Sequence, residues 1–211
     1  MALLEAIANA YQTLAAGVQG AGRLTLGNSL AVANVEPSKY ELTKAGRRFA
    51  LGVSAAITGI APVTETPTTA ASFAMYNSSA TKSIFIESLG TYVESGTPGV
   101  GGTLVGCLFT VPVTTGVLYT GLKIVDLSGG SNASSAVVQA SVTISAPAAP
   151  GWFQVASNNN SNVGAFPGSG QMWRENQGIL LPPGTALGLA VVGLAGTTPL
   201  YVPLIEWVEL G

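Results

Sequence analysis

The chain has 211 residues, of which 47% are hydrophobic and only 9% charged, far below the roughly 25% of an average soluble chain. Eight Lys and Arg against ten Asp and Glu give a net charge of −2, which leaves no basic stripe for a phosphate backbone and argues against nucleic-acid binding. With no histidine and a single cysteine, Cys107, the chain cannot form an intrachain disulfide and lacks the commonest general base and metal ligand.

The elements follow in chain order. Leu3, Leu4, Ile7, Tyr11 and Leu14 recur at helical spacing and predict a short N-terminal helix, stopped by Gly17, Gly20 and Gly22. Residues 1–16 have no basic start and carry Glu5, so they do not read as a signal peptide, and production without export is expected. From Arg23 the period changes to two, with strand-like pieces at 23–26 and 31–35, and 40–43 leading into 44–51. Five of the eight basic residues (Arg23, Lys39, Lys44, Arg47, Arg48) fall in the first 48 positions. A polar terminal arm accounts for them, or an arm lying on an acidic neighbour. Residues 55–72, rich in Thr, Ala and Pro, predict an extended connector.

Strands with turn punctuation fill the remainder. They are expected at 72–76, 82–94, 103–113, 118–127, 136–145, 152–156, 179–181, 186–193 and 200–210, with no second helix. Asn77-Ser78-Ser79 predicts a turn, as does Pro182-Pro183-Gly184, in which Pro fixes φ and Gly supplies a positive φ. Residues 96–102, 128–135 and 157–170 predict loops, the last two facing solvent. The longest apolar stretch, 179–194, is broken by two prolines and is too short to span a bilayer. Regular short strands between Gly- and Pro-rich turns indicate a β-sandwich or barrel.

The chemistry available is narrow. Without histidine no Ser-His or Cys-His nucleophile exists, and one Asp with one Cys makes no ordinary zinc site. Cys107 lies in the apolar run 104–109 and reads as a buried small hydrophobe. Carboxylates at Glu87, Glu94, Glu175, Glu206 and Glu209 are the remaining material for glycoside hydrolysis. Glu206-Trp207 is the most suggestive pair, but on a strand the two point to opposite faces, which favours a core or interface Trp207 and a solvated or ion-paired Glu206. Residues 99–103 lack the Lys of a phosphate loop and open a strand. No catalytic, cofactor-binding or metal-ligating set emerges, and no cofactor is expected.

The segment 75–87, Met-Tyr-Asn-Ser-Ser-Ala-Thr-Lys-Ser-Ile-Phe-Ile-Glu, is similar to a turn of small jelly-roll structural proteins of bacterial viruses. Residues 179–187, Ile-Leu-Leu-Pro-Pro-Gly-Thr-Ala-Leu, resemble a matching late strand pair. The chain thus resembles a capsid decoration, or cement, protein of tailed bacteriophages. The resemblance implies an all-β, jelly-roll-like antiparallel sandwich over residues 71–211, preceded over 1–70 by a helix and extended capsid-binding arm. It further implies a virion structural subunit on the capsid exterior, made in the host cytoplasm. That subunit would be a homotrimer bound to the major capsid protein, with no nucleic acid or membrane as partner. A receptor-binding or carbohydrate-binding domain of a tail fibre or head spike is the alternative, with Tyr92, Trp152 or Trp173 as stacking surfaces. A carboxylate-based glycosidase is the third reading and the least supported.

Overall fold

The computed structural model describes residues 22–24, 30–32, 39–53, 59–96, 102–110, 115–118, 121–144, 151–158, 172–193 and 199–211. The chain divides into two compact units, Met1–Tyr40 and Glu41–Gly211. In the first, β1 (Gly22–Leu24) and β2 (Leu30–Val32) pair antiparallel, matching two of the strand-like pieces in the sequence. The helix expected over residues 3–14 lies outside the described residues.

The second unit is a sandwich of two antiparallel sheets. Its strands are β3 (Arg48–Val53), β4 (Ala70–Asn77), β5 (Ser83–Ser95), β6 (Gly102–Thr110), β7 (Thr115–Leu118) and β8 (Leu122–Asp126), then β9 (Ala136–Thr143), β10 (Trp152–Asn158), β11 (Met172–Leu181), β12 (Thr185–Gly193) and β13 (Leu200–Leu210). One sheet runs β11-β5-β13-β3-β8 and the other β10-β6-β12-β4-β9-β7. With β7 to β9 set aside, eight strands remain, and they pair first with last: β3 with β13, β4 with β12, β5 with β11 and β6 with β10. Those nested pairs, joined side by side through β13–β5 and β12–β6, are a jelly roll. The inserted strands extend both sheets on the same side, β8 beside β3 and β9 with β7 beside β4.

Alternation builds the core. Phe49 and Leu51 of β3, Phe73 and Met75 of β4, Ile84 and Ile86 of β5, and Leu187, Leu189 and Val191 of β12 all face inward. Trp207 of β13 is 0% exposed, and its ring stacks on Phe49 with centroids 5.9 Å apart at 26°. A buried aromatic pair of this kind adds about 0.5–1.5 kcal/mol beyond its area term. The connector after β3 spans both sheets. Ile60 exchanges backbone hydrogen bonds with Tyr201 of β13, and Val63 bonds to Val191 and Gly193 of β12. Tyr201 N–H points to Ile60, so Pro203, two residues on, has its nitrogen on the same side, between that bridge and the start of β3 pairing at Glu206. An internal strand carries a proline here because no ladder bond is due at that position.

Pro182-Pro183-Gly184 turns as the sequence predicts: Thr185 N–H donates to Pro182 O at 3.2 Å and Gly184 has φ +74°. Three expectations change. A helix, α1 (Lys39–Lys44), precedes β3, where none was expected. Residues 118–127 are not one strand: Gly121 takes φ +91° between β7 and β8, which lie in different sheets. The sandwich begins well before residue 71, because β3 is an interior strand between β13 and β8, and its unit starts at Glu41.

Candidate assembly surfaces

On the five-stranded sheet, paired residues Leu180, Phe85, Val208 and Arg48 form one row across β11, β5, β13 and β3 on the face away from the core. Leu180 is 46% exposed, and Leu210 and Val125 on the same face are also exposed. Arg48 is not part of a polar arm. Its Nε donates to Glu87 Oε2 at 2.9 Å, its Nη2 lies 2.8 Å from the same oxygen and 3.3 Å from Glu206 Oε2, and its Nη1 donates to Thr43 Oγ1 at 3.4 Å. The acidic surface that the basic residues near position 48 called for is, for Arg48, the same domain. Alternation makes this possible: Ile84 and Ile86 face the core, so Phe85 and Glu87 face outward with Arg48, and a bulge at Glu87 lets Glu206 pair with Ser88 and Trp207 with Ile86.

Glu209 is the second buried acid, at 2% exposure. Its Oε1 accepts from Ser134 Oγ at 2.7 Å and Ser135 N–H at 2.6 Å, and its Oε2 from Lys82 Nζ at 3.2 Å. Burial pushes the Glu209 pKa up, but the hydrogen bonds from Ser134, Ser135 and Lys82 outweigh it and hold the carboxyl below the usual range. Asp126 pins the same loop from its other end, accepting from Ser128 N–H, Asn132 N–H and Asn132 Nδ2. Hydrogen bonding from Ser128 first, then Asn132, lowers its pKa to about 2. The loop expected at 128–135 therefore exists, exposed at Ser128 and Asn132 and anchored at both ends by carboxylates.

The candidate residues fall as follows. Glu206 and Trp207 do point to opposite faces, Trp207 into the core and Glu206 to the ion triad. Glu87 and Glu206 share one guanidinium, and Glu209 is enclosed by a loop, so each described acid of these three is engaged in structure. Cys107 is fully buried, and desolvation pushes its thiol up to about 12. Asn77, at the Asn-Ser-Ser turn, is buried and donates through Nδ2 to Lys82 O and Leu181 O. The side chains of Trp173 and Glu175 lie outside the described residues. Among the described residues no group of three or more His, Cys, Asp or Glu is placed to hold a metal ion, and no helix is long and apolar enough to cross a membrane.

Composition of the strands separates the two sheets. Arg48, Glu87, Glu94, Lys123, Asp126, Arg174, Glu175, Glu206 and Glu209 are the charged residues of sandwich strands, and all lie in the five-stranded sheet. The six strands of the other sheet carry none. Sequence reading missed this division because it depends on sheet membership. No family model, curated protein or solved structure matches the chain.

Proposed function

We propose that this chain is a virion structural protein: a homotrimeric decoration, or cement, subunit that binds the major capsid protein and stabilises the shell from outside. The observation that carries this reading is the nested strand pairing of the second unit, a jelly roll, the architecture viral capsid domains use repeatedly. The fold alone does not set the function. The surface adds to it, since a chain with 9% charged residues and exposed Leu180, Leu210 and Val125 is better solvated in an assembly than alone. The acids described in contact with partners stabilise structure, which favours a structural over a catalytic role. Residues ahead of the sandwich serve in this reading as the capsid-binding arm.

A carbohydrate-binding or receptor-binding domain of a tail fibre or head spike is the second reading, favoured by the same topology, which lectin domains share. Immunogold electron microscopy, with antibody against the purified chain on virus particles from its source, separates the two. Label over the head shell supports a decoration subunit, label at the tail promotes the second reading, and particles without label overturn both. Removal of residues 1–40 leaves the sandwich unit whole and is expected to abolish attachment to isolated shells. Unchanged attachment rejects the arm.

A further inference from the structure

Residues 128–135 carry the chain from β8 of the five-stranded sheet to β9 of the six-stranded one. The crossing reads Ser-Gly-Gly-Ser-Asn-Ala-Ser-Ser, and none of its residues is buried. That is the composition of a flexible linker, and ordering its backbone is costly in entropy. Apolar packing does not offset the cost, because Ala133 is exposed and the main core takes no residue from the crossing.

Two carboxylates hold it instead. Glu209 Oε1 accepts from Ser134 Oγ and Ser135 N–H, Asp126 Oδ1 from Ser128 N–H, and Asp126 Oδ2 from Asn132 N–H and Asn132 Nδ2. The two acids grip opposite ends of the crossing and come from different strands, β8 and β13. Under it, Trp207 Nε1 donates to Ser134 Oγ at 3.3 Å, and Ser135 O accepts from Ser78 N–H and Oγ. Asn132 lies against Gly46, where an added methyl group would overlap its side chain, so the crossing also covers the turn by which the chain enters β3 from α1.

We infer that residues 128–135 are an acid-released latch, closed while Asp126 and Glu209 are ionised and opened when they take up protons, with both sheets still paired. Bond direction makes it acid-sensitive. All five bonds run from a donor on the crossing to a carboxylate oxygen, and protonation puts a hydroxyl where one of those oxygens accepted. Most of the partners cannot reverse. Backbone N–H groups only donate, and Ser134 Oγ already accepts from Ala136 N–H and Trp207 Nε1. The charged neighbours are Lys82, 3.2 Å from Glu209 Oε2, and Arg47, whose carbonyl accepts from Glu209 N–H; lysine and arginine do not titrate in acid. Arg48, which precedes Phe49 opposite Asp126, is bonded to Glu87 and Glu206, and Glu41 and Lys44 of α1 are exposed. Burial pushes the Glu209 pKa up, but bonds from Ser134, Ser135 and Lys82 more than reverse it, and bonds from Ser128 and then Asn132 lower Asp126 to about 2. Both acids are thus depressed in the closed form. Closure is complete above the open-state carboxylate values and is lost as pH falls through the closed-state ones. The latch belongs to the isolated chain and holds whether or not the chain decorates a capsid.

Hydrogen exchange of the full chain, read at single amides by NMR and expressed as protection relative to the unstructured rate, tests it. As pH falls from neutral to about 2, the Asp126 value, the amides of Ser128, Asn132 and Ser135 are expected to lose protection while those of β5 and β12 keep theirs. At neutral pH, Asp126→Asn and Glu209→Gln are each expected to lower the same three by at least about tenfold, the effect of losing one charge-assisted hydrogen bond. A latch opens as a unit, so Asp126→Asn must deprotect Ser135, and Glu209→Gln must deprotect Ser128 and Asn132. Loss confined to the amides of the altered acid overturns the latch. Protection that survives to about pH 2 in the wild type overturns it too, as does loss that β5 and β12 share. If either variant fails to fold, the wild-type titration decides alone.

Discussion

Glu209→Gln is expected to lower stability by about 2–3 kcal/mol at neutral pH, through loss of charge in a site built for a carboxylate. Wild-type Glu209 accepts three hydrogen bonds, from Ser134 Oγ, Ser135 N–H and Lys82 Nζ. Bonds to an ionised acceptor contribute about 1.5–3 kcal/mol each in net terms, roughly twice a neutral one. The amide keeps one carbonyl acceptor, for Ser134 and Ser135, and turns an NH2 toward Lys82. The Lys82 contribution is small, because that side chain is 49% exposed and regains water when the pair is lost. The loss therefore comes mainly from weakening the two bonds of the 134–135 segment, and it is measured by urea unfolding at fixed protein concentration. The sign with pH follows from the lowered carboxyl pKa of the folded state. Stability from Glu209 is present in full above the unfolded-state value and is lost as pH falls through the folded one. The gap between wild type and variant should then be constant near pH 7 and shrink in acid, where both carry a neutral group. A gap that is absent at pH 7, or that stays unchanged down through the acid range, refutes the argument.

Arg48→Gln should destabilise by about 1.5–3 kcal/mol in the same assay, because Glu87, with a side chain 9% exposed, loses its charge-assisted bonds to the guanidinium while Glu206 can turn to water. Thr91→Val should stabilise by about 1 kcal/mol, since the Thr91 hydroxyl is buried without a hydrogen bond and valine has the same shape; a loss of stability would show that the hydroxyl has a partner. Cys107, buried with its thiol pushed up to about 12, should resist an aromatic disulfide reagent in the native state and label at the rate of unfolding as urea rises. Rapid labelling without denaturant would contradict that burial. Gly184→Ala should cost about 1–2 kcal/mol because the position holds φ +74°, with nothing near an added methyl group to blame instead.

The strand pattern was legible because the turns were. Asn77-Ser78-Ser79 and Pro182-Pro183-Gly184 carry their geometry in their side chains, and both fall where the sequence puts them. The opposite orientations of Glu206 and Trp207 follow from strand periodicity alone. What failed were features set by distant partners. Arg48 looked like part of a basic arm because its acids are 39 and 158 positions away. Residues 118–127 alternate well enough for one strand, and only the positive φ of Gly121, which glycine permits without demanding it, marks the crossing between sheets. The helix at Lys39–Lys44 is six residues long with no buried side chain, so no apolar stripe announced it. The ion triad was hidden for a further reason: alternation turns Glu87 and Glu206 outward, but that Arg48 lies beside them is set by the order of strands in the sheet.

One signal in the sequence did encode the sheets. In a jelly roll consecutive strands mostly swap sheets, so a property belonging to one sheet reappears periodically along the chain. Here β3, β5, β8, β11 and β13 each contain a charged residue, and β4, β6, β7, β9, β10 and β12 contain none. Sorting the strands by that criterion alone separates them into the two observed sheets without error. Burial accounts for the division: the outward positions Cys107, Ala74 and Ala190 of the six-stranded sheet are themselves buried, where a charge is costly, whereas Lys123 on the outward face of the other sheet is exposed. A strand without charge therefore belongs to the sheet buried on both faces, as β12 shows by six consecutive buried residues, 186–191.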